Sequence, residues 1–338
     1  MIREAIAKVV SGQDLSRDEA ASVMEEIMTD QATPAQWGSL VTGLRLKGET
    51  VQEIAGFASV MRRLATPVSP SRPVVDTCGT GGDGRGTFNI STTAAFVAAG
   101  AGVAVAKHGN RSMTSRCGSA DVLEALGVNI TLTASQVEAC LEETGIGFMF
   151  AQLFHPSMKF AGPLRREIGI RTVFNILGPL TNPAGAHAQV LGVPSPDLVL
   201  PMAEALALLG SQHALVVHGE DGVDEISICA PTTIGEVVNG NIRTYTITPE
   251  DFGFSRASID DILGADASDN AEITRGILSG SDGPRRKVVL LNAAAAIVAG
   301  GHAKNLEQGI SLAAESIDSG AAADRLERLT KVSRRFAT

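Results

Sequence analysis

The amino-acid sequence predicts an α/β protein, in which a small N-terminal all-helical domain precedes a large domain with a mainly parallel central sheet flanked by helices. Helix-start signals recur through residues 1–65, and short β-branched runs that alternate with helical patterns begin at Val74. A proline-rich piece at residues 66–73 separates the two patterns. We therefore expect a helical domain over residues 1–70 and an α/β domain over residues 71–338, a division that suits a chain of 338 residues.

The N-terminal helices are predicted from three capping boxes, in which a hydroxyl residue is followed three positions later by Glu or Gln. They are Ser16 with Glu19, Thr33 with Gln36, and Thr50 with Glu53. Apolar residues at three-and-four spacing follow each box. A domain this small has little core of its own, so we expect it to pack on the rest of the chain or on a second copy.

The remainder of the chain predicts alternating strands and helices. Strands are predicted at Val74 and Val75 and over residues 103–106, 130–133, 148–151, 213–218, 226–229 and 242–247. Helices are predicted from Ser91 to about Gly100, over residues 119–126, over residues 135–143 behind a capping box that ends at Glu138, and over all of residues 270–336. The strand–helix–strand order indicates parallel strands with helical crossovers.

Charge, aromatic content and cysteine spacing exclude several classes of protein. The net charge of −9 and an aromatic content of 4% argue against a nucleic-acid-binding surface. The four cysteines show no C-x-x-C spacing, so neither a zinc knuckle nor a redox pair is indicated. The N-terminus lacks a secretory pattern, and no apolar run reaches the length of a membrane span. We expect a cytoplasmic protein without a membrane partner.

A glycine-rich segment after the first strand predicts a phosphate site. Five glycines lie between Gly79 and Gly86, and a helix is expected directly afterwards. Backbone N–H groups of such a loop, together with a helix N-terminus, can surround one anion. A flexible surface turn is the alternative. Gly79, Gly81 and Gly84 also fit the G-x-G-x-x-G pattern of a dinucleotide fold, which alone is weak evidence.

The residues after the second strand favour phosphate over a bare ribose. A dinucleotide fold would end this strand in Asp or Glu, whereas this chain continues with Lys107, His108, Gly109, Asn110, Arg111 and Ser112. Cations and polar donors at this position suit phosphate oxygens. Because parallel strands end at the same edge of a sheet, this segment is expected beside the glycine loop.

Two later segments supply candidate carboxylates and cations. Asp224 and Glu225 follow a predicted strand and offer hard oxygen ligands for Mg²⁺, although an acidic loop of this kind can also be merely solvated. Arg165 and Arg166 could bind a substrate carboxylate, or they could form surface salt bridges. The spacing does not decide between these alternatives.

Taken together, these motifs resemble the anthranilate phosphoribosyltransferases over nearly the whole chain. The resemblance rests on blocks that occur in the same order, at residues 79–83, 89–92, 107–112, 118–127, 175–183 and 218–227. It implies a fold of the nucleoside phosphorylase/phosphoribosyltransferase type, in which mid-chain helices near residues 165–185 pack with the helical domain, and a homodimer formed through that domain. It also implies transfer of the phosphoribosyl group of phosphoribosyl pyrophosphate to the amine of anthranilate in tryptophan biosynthesis, with Mg²⁺.

The resemblance also assigns roles to individual residues. The contacts that it implies for phosphoribosyl pyrophosphate are Gly79, Gly82, Asp83, Thr87, Asn89, Ile90, Ser91, Thr92, Lys107, His108, Gly109, Asn110, Arg111, Ser112, Met113, Thr114, Ser115 and Ser119. The implied anthranilate contacts are Gly79, His108, Asn110, Arg165 and Pro179. The implied metal ligands are Ser91, Asp224 and Glu225. No residue is implied to act as a covalent nucleophile.

Two related classes remain as alternatives. A pyrimidine nucleoside phosphorylase would share both domains, but the pair Asp224–Glu225 and the block at residues 175–183 do not match that family. Nucleic-acid-binding relatives of the transferase would require a basic face, which the acidic composition opposes. Within the resemblance itself, Met113 and Thr114 replace smaller or hydroxyl side chains, which leaves the contacts of residues 113–115 open.

Overall fold

The computed structural model describes residues 1–112 and 116–337, which form a helical domain and a sheet-containing domain. The strands are β1 (Val75–Gly79), β2 (Val105–Gly109), β3 (Ile146–Phe150), β4 (Ala188–Gly192), β5 (His213–Gly219), β6 (Thr232–Val238) and β7 (Asn241–Ile247). The helices are α1 (Ile2–Val10), α2 (Arg17–Met28), α3 (Pro34–Lys47), α4 (Val51–Leu64), α5 (Ile90–Gly100), α6 (Ser119–Ala125), α7 (Ala134–Thr144), α8 (Ala151–Phe154), α9 (Met158–Ile168), α10 (Phe174–Leu177), α11 (Val199–Leu208), α12 (Ala267–Leu278), α13 (Pro284–Ala299), α14 (Leu306–Asp318) and α15 (Ala321–Arg334).

The predicted capping boxes start helices α2, α3 and α4. In each, the hydroxyl oxygen accepts from the backbone N–H three residues later, and the Glu or Gln side chain accepts from the capping residue's N–H. The buried carboxylate of Glu53 has a second role besides the capping box, since it also accepts from the N–H of Leu15 at 2.9 Å. This contact fixes the loop before α2 against α4.

The helical domain shares its core with mid-chain segments. The rings of Trp37 on α3 and Phe174 on α10 lie 5.7 Å apart, and both side chains are buried. Val199 and Met202 of α11 join the same apolar cluster. The short domain therefore gains burial from chain segments that lie far away in sequence, as its small size requires.

The sheet has the strand order β3-β2-β1-β4-β5-β6-β7, and its first five strands are parallel. β6 and β7 form an antiparallel hairpin at one edge, joined through Asn239 and Gly240, both at positive φ. Helices α5 and α13, which are apolar on nearly all sides, are buried against one face. The predicted fold class, a helical domain with a mainly parallel α/β domain, is confirmed.

Some element predictions were wrong. Residues 226–229 are not a strand, because their backbone N–H groups donate to side chains instead of to a neighbouring strand. Ile226 N–H donates to Asn292 Oδ1 and Ser227 N–H to Thr232 Oγ1, both at 2.9 Å. Residues 130–133 likewise join no strand of the described sheet. Strands β4 and β6 were not predicted. The helix predicted to begin at Ser91 starts one residue earlier, and Thr133 with Gln136 forms the box before α7.

No helix in the described part of the chain is both long and apolar enough to cross a membrane.

Candidate active site

The glycine loop begins where β1 ends and leads into α5. Gly81, Gly82, Gly84 and Gly86 all have φ between 66° and 78°, so most other residues would be strained there. Gly79 lacks a side chain for a different reason. A Cβ at this position would lie 2.3 Å from Oδ2 of Asp224, so the close approach of that carboxylate requires glycine.

The acidic loop between β5 and β6 folds back onto the glycine loop. Gly81 N–H donates to Asp224 Oδ2 at 2.9 Å, and Ser91 N–H, in the first turn of α5, donates to Glu225 Oε1 at 3.1 Å. Segments more than 130 positions apart in the sequence therefore meet, since these two contacts span 143 and 134 residues. The acidic loop is held in turn by Asn292 of α13, whose amide donates to Ile226 O at 2.9 Å.

Asp224 and Glu225 are partly buried, and their charges repel each other. Burial, and then the charge of Asp83, raise the pKa of Asp224 to about 7. Burial, and then the charge of Asp224, raise the pKa of Glu225 to about 8. Oδ2 of Asp83 is also buried without a hydrogen-bond partner in the described structure. Such a cluster of carboxylates is stabilised when a cation lies beside it.

These residues fit a magnesium ion that shares its ligands with a phosphorylated substrate. Within residues 1–112 and 116–337, no three Asp, Glu, His or Cys side chains converge as a complete metal site. Mg²⁺ does not need such a cage, because it commonly binds through one or two carboxylates, waters and substrate phosphates. Asp224 and Glu225 could supply the carboxylates, and their position at the glycine loop places them where phosphates would bind.

A buried cation and two neutral imidazoles line the carboxyl end of β2. Lys107 is 3% exposed, and its Nζ donates to the carbonyl of Thr77 on β1. The rings of His108 and His155 lie 5.0 Å apart, and the Nε2 atoms of both are buried without a partner in the described structure. Burial lowers the pKa of His108 to about 3 and that of His155 to about 4, so both rings are neutral at pH 7.

Comparison with known proteins identifies the family. Residues 3–65 match the helical bundle domain of a glycosyl transferase family, and residues 71–323 match its a/b domain. Anthranilate phosphoribosyltransferases from Roseiflexus sp. (strain RS-1) and Moorella thermoacetica are 61% and 59% identical to this chain. The first alignment covers 98% of both chains, and the second covers 97%.

Solved structures agree with the sequence comparison. Anthranilate phosphoribosyltransferase from Thermus thermophilus is 46% identical and superposes with a TM-score of 0.93, over 98% of this chain and 99% of that one. The enzyme from Saccharomyces cerevisiae in complex with PRPP and Mg is 30% identical, with a TM-score of 0.90 over 99% and 98%. The chain belongs to the anthranilate phosphoribosyltransferase family.

For the donor half of the site, the structure groups most of the residues that the resemblance to this transferase family assigns. Asn89 is the N-cap residue of α5, Ile90, Ser91 and Thr92 form its first turn, and Thr87 pairs with Leu263 in an isolated bridge. Lys107, His108 and Gly109 end β2, Asn110 follows them, and the hydroxyl of Ser119 donates to Asn110 O at 3.3 Å. Met113, Thr114 and Ser115 lie outside the described residues.

Arg111 and Ser112 form hydrogen bonds with residues of α6. The Arg111 guanidinium contacts Asp121 at 2.9 Å and Glu124 at 2.8 Å, and the N–H of Ser112 donates to Asp121 at 3.0 Å. The hydrogen bonds that Arg111 donates to Glu124 and Asp121 raise the pKa of its guanidinium. These ties hold the segment after β2 against the start of α6.

For the acceptor half, the relevant residues lie on and after α9. Arg165 is partly buried, and its guanidinium carbon lies 5.8 Å from the ring centre of Phe174. Burial lowers the pKa of Arg165 from its ordinary value. Arg166, on the same helix, is exposed. Pro179 is buried, and its carbonyl accepts from Gln189 Nε2 at 2.7 Å.

Two residues that contact the glycine loop and the acidic loop carry no prediction from the sequence. Arg171, beyond the end of α9, donates to Gly82 O at 3.1 Å and to Gly81 O at 3.4 Å, so it joins the acceptor side to the glycine loop. Asn292 supports the acidic loop, as described above. Asn292 could have been found from the sequence, because it is a single amide in the apolar part of α13. Nothing in the sequence predicts that Arg171 contacts a glycine loop.

Proposed function

We propose that this chain transfers the 5-phosphoribosyl group of phosphoribosyl pyrophosphate to the amino group of anthranilate. The products are N-(5-phosphoribosyl)anthranilate and pyrophosphate, a step of tryptophan biosynthesis. Curated relatives named for this activity are 61% identical over 98% of the chain, and related yeast structures hold PRPP with Mg or 4-fluoroanthranilate. The observation that carries the proposal is the contact of Asp224 and Glu225 with the glycine loop and the start of α5.

The donor is proposed to bind at the residues assigned from the sequence in the glycine loop, α5, the end of β2 and Ser119. In the reaction, the bond between ribose C1 and the pyrophosphate oxygen breaks, while a bond forms between C1 and the anthranilate nitrogen. The nitrogen then loses a proton to water or to the leaving pyrophosphate. Negative charge develops on the leaving pyrophosphate, where loop N–H groups and Lys107 can stabilise it. Asp224, Glu225 and Ser91 would hold Mg²⁺, which would neutralise part of the charge on the phosphates.

The acceptor is proposed to bind at Arg165, Asn110, His108, Pro179 and Gly79. The planar guanidinium of Arg165 suits the carboxylate of anthranilate, which can accept two parallel hydrogen bonds. His108 is neutral at pH 7, so it adds no second cation beside the aromatic amine. That amine is itself neutral at this pH, so it can attack C1 without a strong base. Positioning of the two substrates therefore supplies much of the rate.

The wider assignments are proposals of the same kind. We propose that the protein works in the cytoplasm, binds neither nucleic acid nor membrane, and forms a homodimer through its helical domain. The acidic net charge of −9 supports the absence of a nucleic-acid partner. The side chains of Val10 on α1 and Leu46 on α3 support the dimer, because they are 71% and 84% exposed although apolar.

The first test is the loss of anthranilate fluorescence with phosphoribosyl pyrophosphate and Mg²⁺. Wild type should consume anthranilate only when all three components are present. The double variant Asp224→Asn with Glu225→Gln should lose at least about a hundredfold in kcat/KM. A matched control, Glu142→Gln with Glu143→Gln, changes an adjacent acidic pair on the surface of α7 and should keep wild-type rates. Folded wild type without turnover contradicts the proposal, and nucleosides with phosphate would then be assayed.

The acceptor side is tested within the same assay by changing neighbouring arginines. Arg165→Ala should raise KM for anthranilate about tenfold or more while KM for phosphoribosyl pyrophosphate stays near wild type. Arg166→Ala is the matched control, since this side chain is exposed one position further along α9. Equal effects of the two variants, or an effect of Arg166→Ala alone, would remove Arg165 from the acceptor site.

A further inference from the structure

A buried carboxylate on β1 lies outside every role assigned so far. Asp76 is 0% exposed, in a central strand flanked by β2 and β4. Its Oδ1 accepts from the backbone N–H of His108 at 3.1 Å, and its Oδ2 accepts from Asn182 Nδ2 at 2.7 Å. An ionised carboxylate at such a depth is costly unless a positive charge and hydrogen bonds compensate it.

Lys107 provides that positive charge. The ammonium group is almost fully buried at the end of β2, and it donates to the carbonyl of Thr77, the residue after Asp76. Burial lowers the pKa of Lys107, and the charge of Asp76 offsets part of this effect by favouring the ammonium form. Lys107 and Asp76 therefore form a buried pair of opposite charges on neighbouring strands.

Asn182 connects this charge pair to the acceptor side. Its Nδ2 donates both to Asp76 and to the carbonyl of Ala106 at 2.9 Å, and its Oδ1 accepts from Ala184 N–H at 2.8 Å. One buried amide thus joins β1, β2 and the turn after Pro179. This is the kind of fully bonded polar network that fixes a single arrangement of its members.

We propose, on the basis of the proposed function, that Asp76 and Asn182 are positioning residues that hold Lys107 and His108 in place for the phosphoribosyl donor. Neither residue touches substrate. Asp76 fixes the backbone at His108, and its charge compensates that of the buried Lys107 ammonium. Without the charge of Asp76, the buried ammonium loses its compensating carboxylate, and Lys107 no longer keeps the position and charge that the pyrophosphate requires.

The test is a double-mutant cycle between Asp76→Asn and Lys107→Met in the full-length enzyme. Asp76→Asn keeps the shape of the side chain and removes its charge, and should lower kcat/KM for phosphoribosyl pyrophosphate about thirtyfold or more. KM for anthranilate, whose proposed contacts include His108, should rise by a smaller factor than KM for phosphoribosyl pyrophosphate. In the Lys107→Met background the same substitution should cost less than about threefold, since the group through which it acts is gone.

The control separates positioning from general destabilisation. Thr144→Val removes buried hydrogen bonds to the carbonyls of Cys140 and Ile146, at the amino end of β3 and away from the carboxyl ends that carry the site. This variant should lower the melting temperature without changing either KM. Additive effects in the cycle, or equal rises of both KM values, would overturn the positioning role.

A second variant keeps the inference testable if Asp76→Asn does not fold. Asn182→Ala removes the amide and leaves both charges, and should raise KM for phosphoribosyl pyrophosphate about fivefold or more and KM for anthranilate by a smaller factor. Wild-type KM values for both substrates in Asn182→Ala would overturn the proposed network. Failure of the proposed function would differ from failure of this inference, because wild type would then show no turnover at all.

Discussion

The two adjacent histidines show how burial sets the charge of individual side chains. His108 and His155 approach within 5.0 Å, and the pKa of each is lowered, to about 3 and about 4. Burial is the largest cause for both, and for His108 the neighbouring His155 adds to it. Protonation of either ring would place a cation in a buried, apolar position without a counter-ion. Both rings therefore stay neutral only while the pH lies above their folded-state pKa values.

The free energy of unfolding at acidic pH should show the contribution of His155. Its ordinary pKa is 6.5 and its folded-state pKa is about 4, so the unfolded chain binds the proton more readily between these values. The free energy of unfolding should therefore fall as pH drops below 6.5, by about 2 kcal/mol from this residue on reaching about pH 5. Urea unfolding at several pH values measures this dependence, and His155→Gln should reduce its slope.

The control for this measurement changes a histidine at the surface. His302 is exposed, in the turn between α13 and α14, and His302→Gln should keep the wild-type slope between pH 6.5 and about pH 5. If His155→Gln and wild type lose stability in parallel over this range, the histidine is not the group that binds the proton. Another group whose pKa is lowered in the folded state, His108 for example, would then carry the acid dependence.

At the scale of secondary-structure elements, local signals predicted helix starts better than strands. The boxes at Ser16, Thr33 and Thr50 form because they need only residues three positions apart. Strands β4 and β6 were missed because their pairing partners, not their own residues, define them. The wrong strand at residues 226–229 has the same origin, since Asn292 and Thr232 replace a neighbouring strand as hydrogen-bond partners.

The link between α9 and the glycine loop gives Arg171 a testable role. Its guanidinium donates to the carbonyls of Gly81 and Gly82, in a loop whose glycines impose little conformational restriction by themselves. Arg171→Met keeps much of the length and removes both hydrogen bonds. It should raise KM for phosphoribosyl pyrophosphate about fivefold to twentyfold, because the loop must then be ordered at the expense of binding energy.

Steady-state kinetics with each substrate varied in turn measures this effect. Arg85→Met provides the comparison within the same loop, because the Arg85 side chain lies over Gly222 of the acidic loop instead. If the two hydrogen bonds of Arg171 order the loop, Arg171→Lys should have a KM between those of wild type and Arg171→Met, since an ammonium lacks the planar fork that reaches both carbonyls. A wild-type KM in Arg171→Lys would show that the loop requires the charge rather than two hydrogen bonds.

At the scale of the whole molecule, the sequence predicted that the glycine loop and the end of the second strand lie side by side, but not how the other segments reach them. Parallel strands bring the glycine loop and Lys107 to one edge of the sheet, as strand order alone implies. The acidic loop reaches the same edge through β4 and β5, and β4 was not predicted. The contact of Arg171 with Gly82 depends on how α9 packs on the helical domain, which no local pattern encodes.

The exposed apolar side chains of the helical domain predict its association with a second copy. Leu46 on α3 is 84% exposed and Val10 on α1 is 71% exposed, and Gly43, one turn before Leu46, lies against Val9 and Val10. Burial of these side chains in a dimer would remove apolar surface from water, whereas a charge at either position would oppose it. Wild type should therefore elute as a dimer in size-exclusion chromatography with light scattering, and Leu46→Asp should shift the population toward monomer.

Activity adds a second readout to the dimer prediction, because the proposed substrate and metal contacts all come from one chain. Leu46→Asp monomer should retain kcat within about threefold of wild type at temperatures where it stays folded, while its melting temperature falls. Val238→Asp is the matched control, since Val238 is an apolar residue 39% exposed on β6, outside the helical domain. A monomeric wild type, or a Leu46→Asp variant that still elutes as a dimer, would rule out an interface at this position.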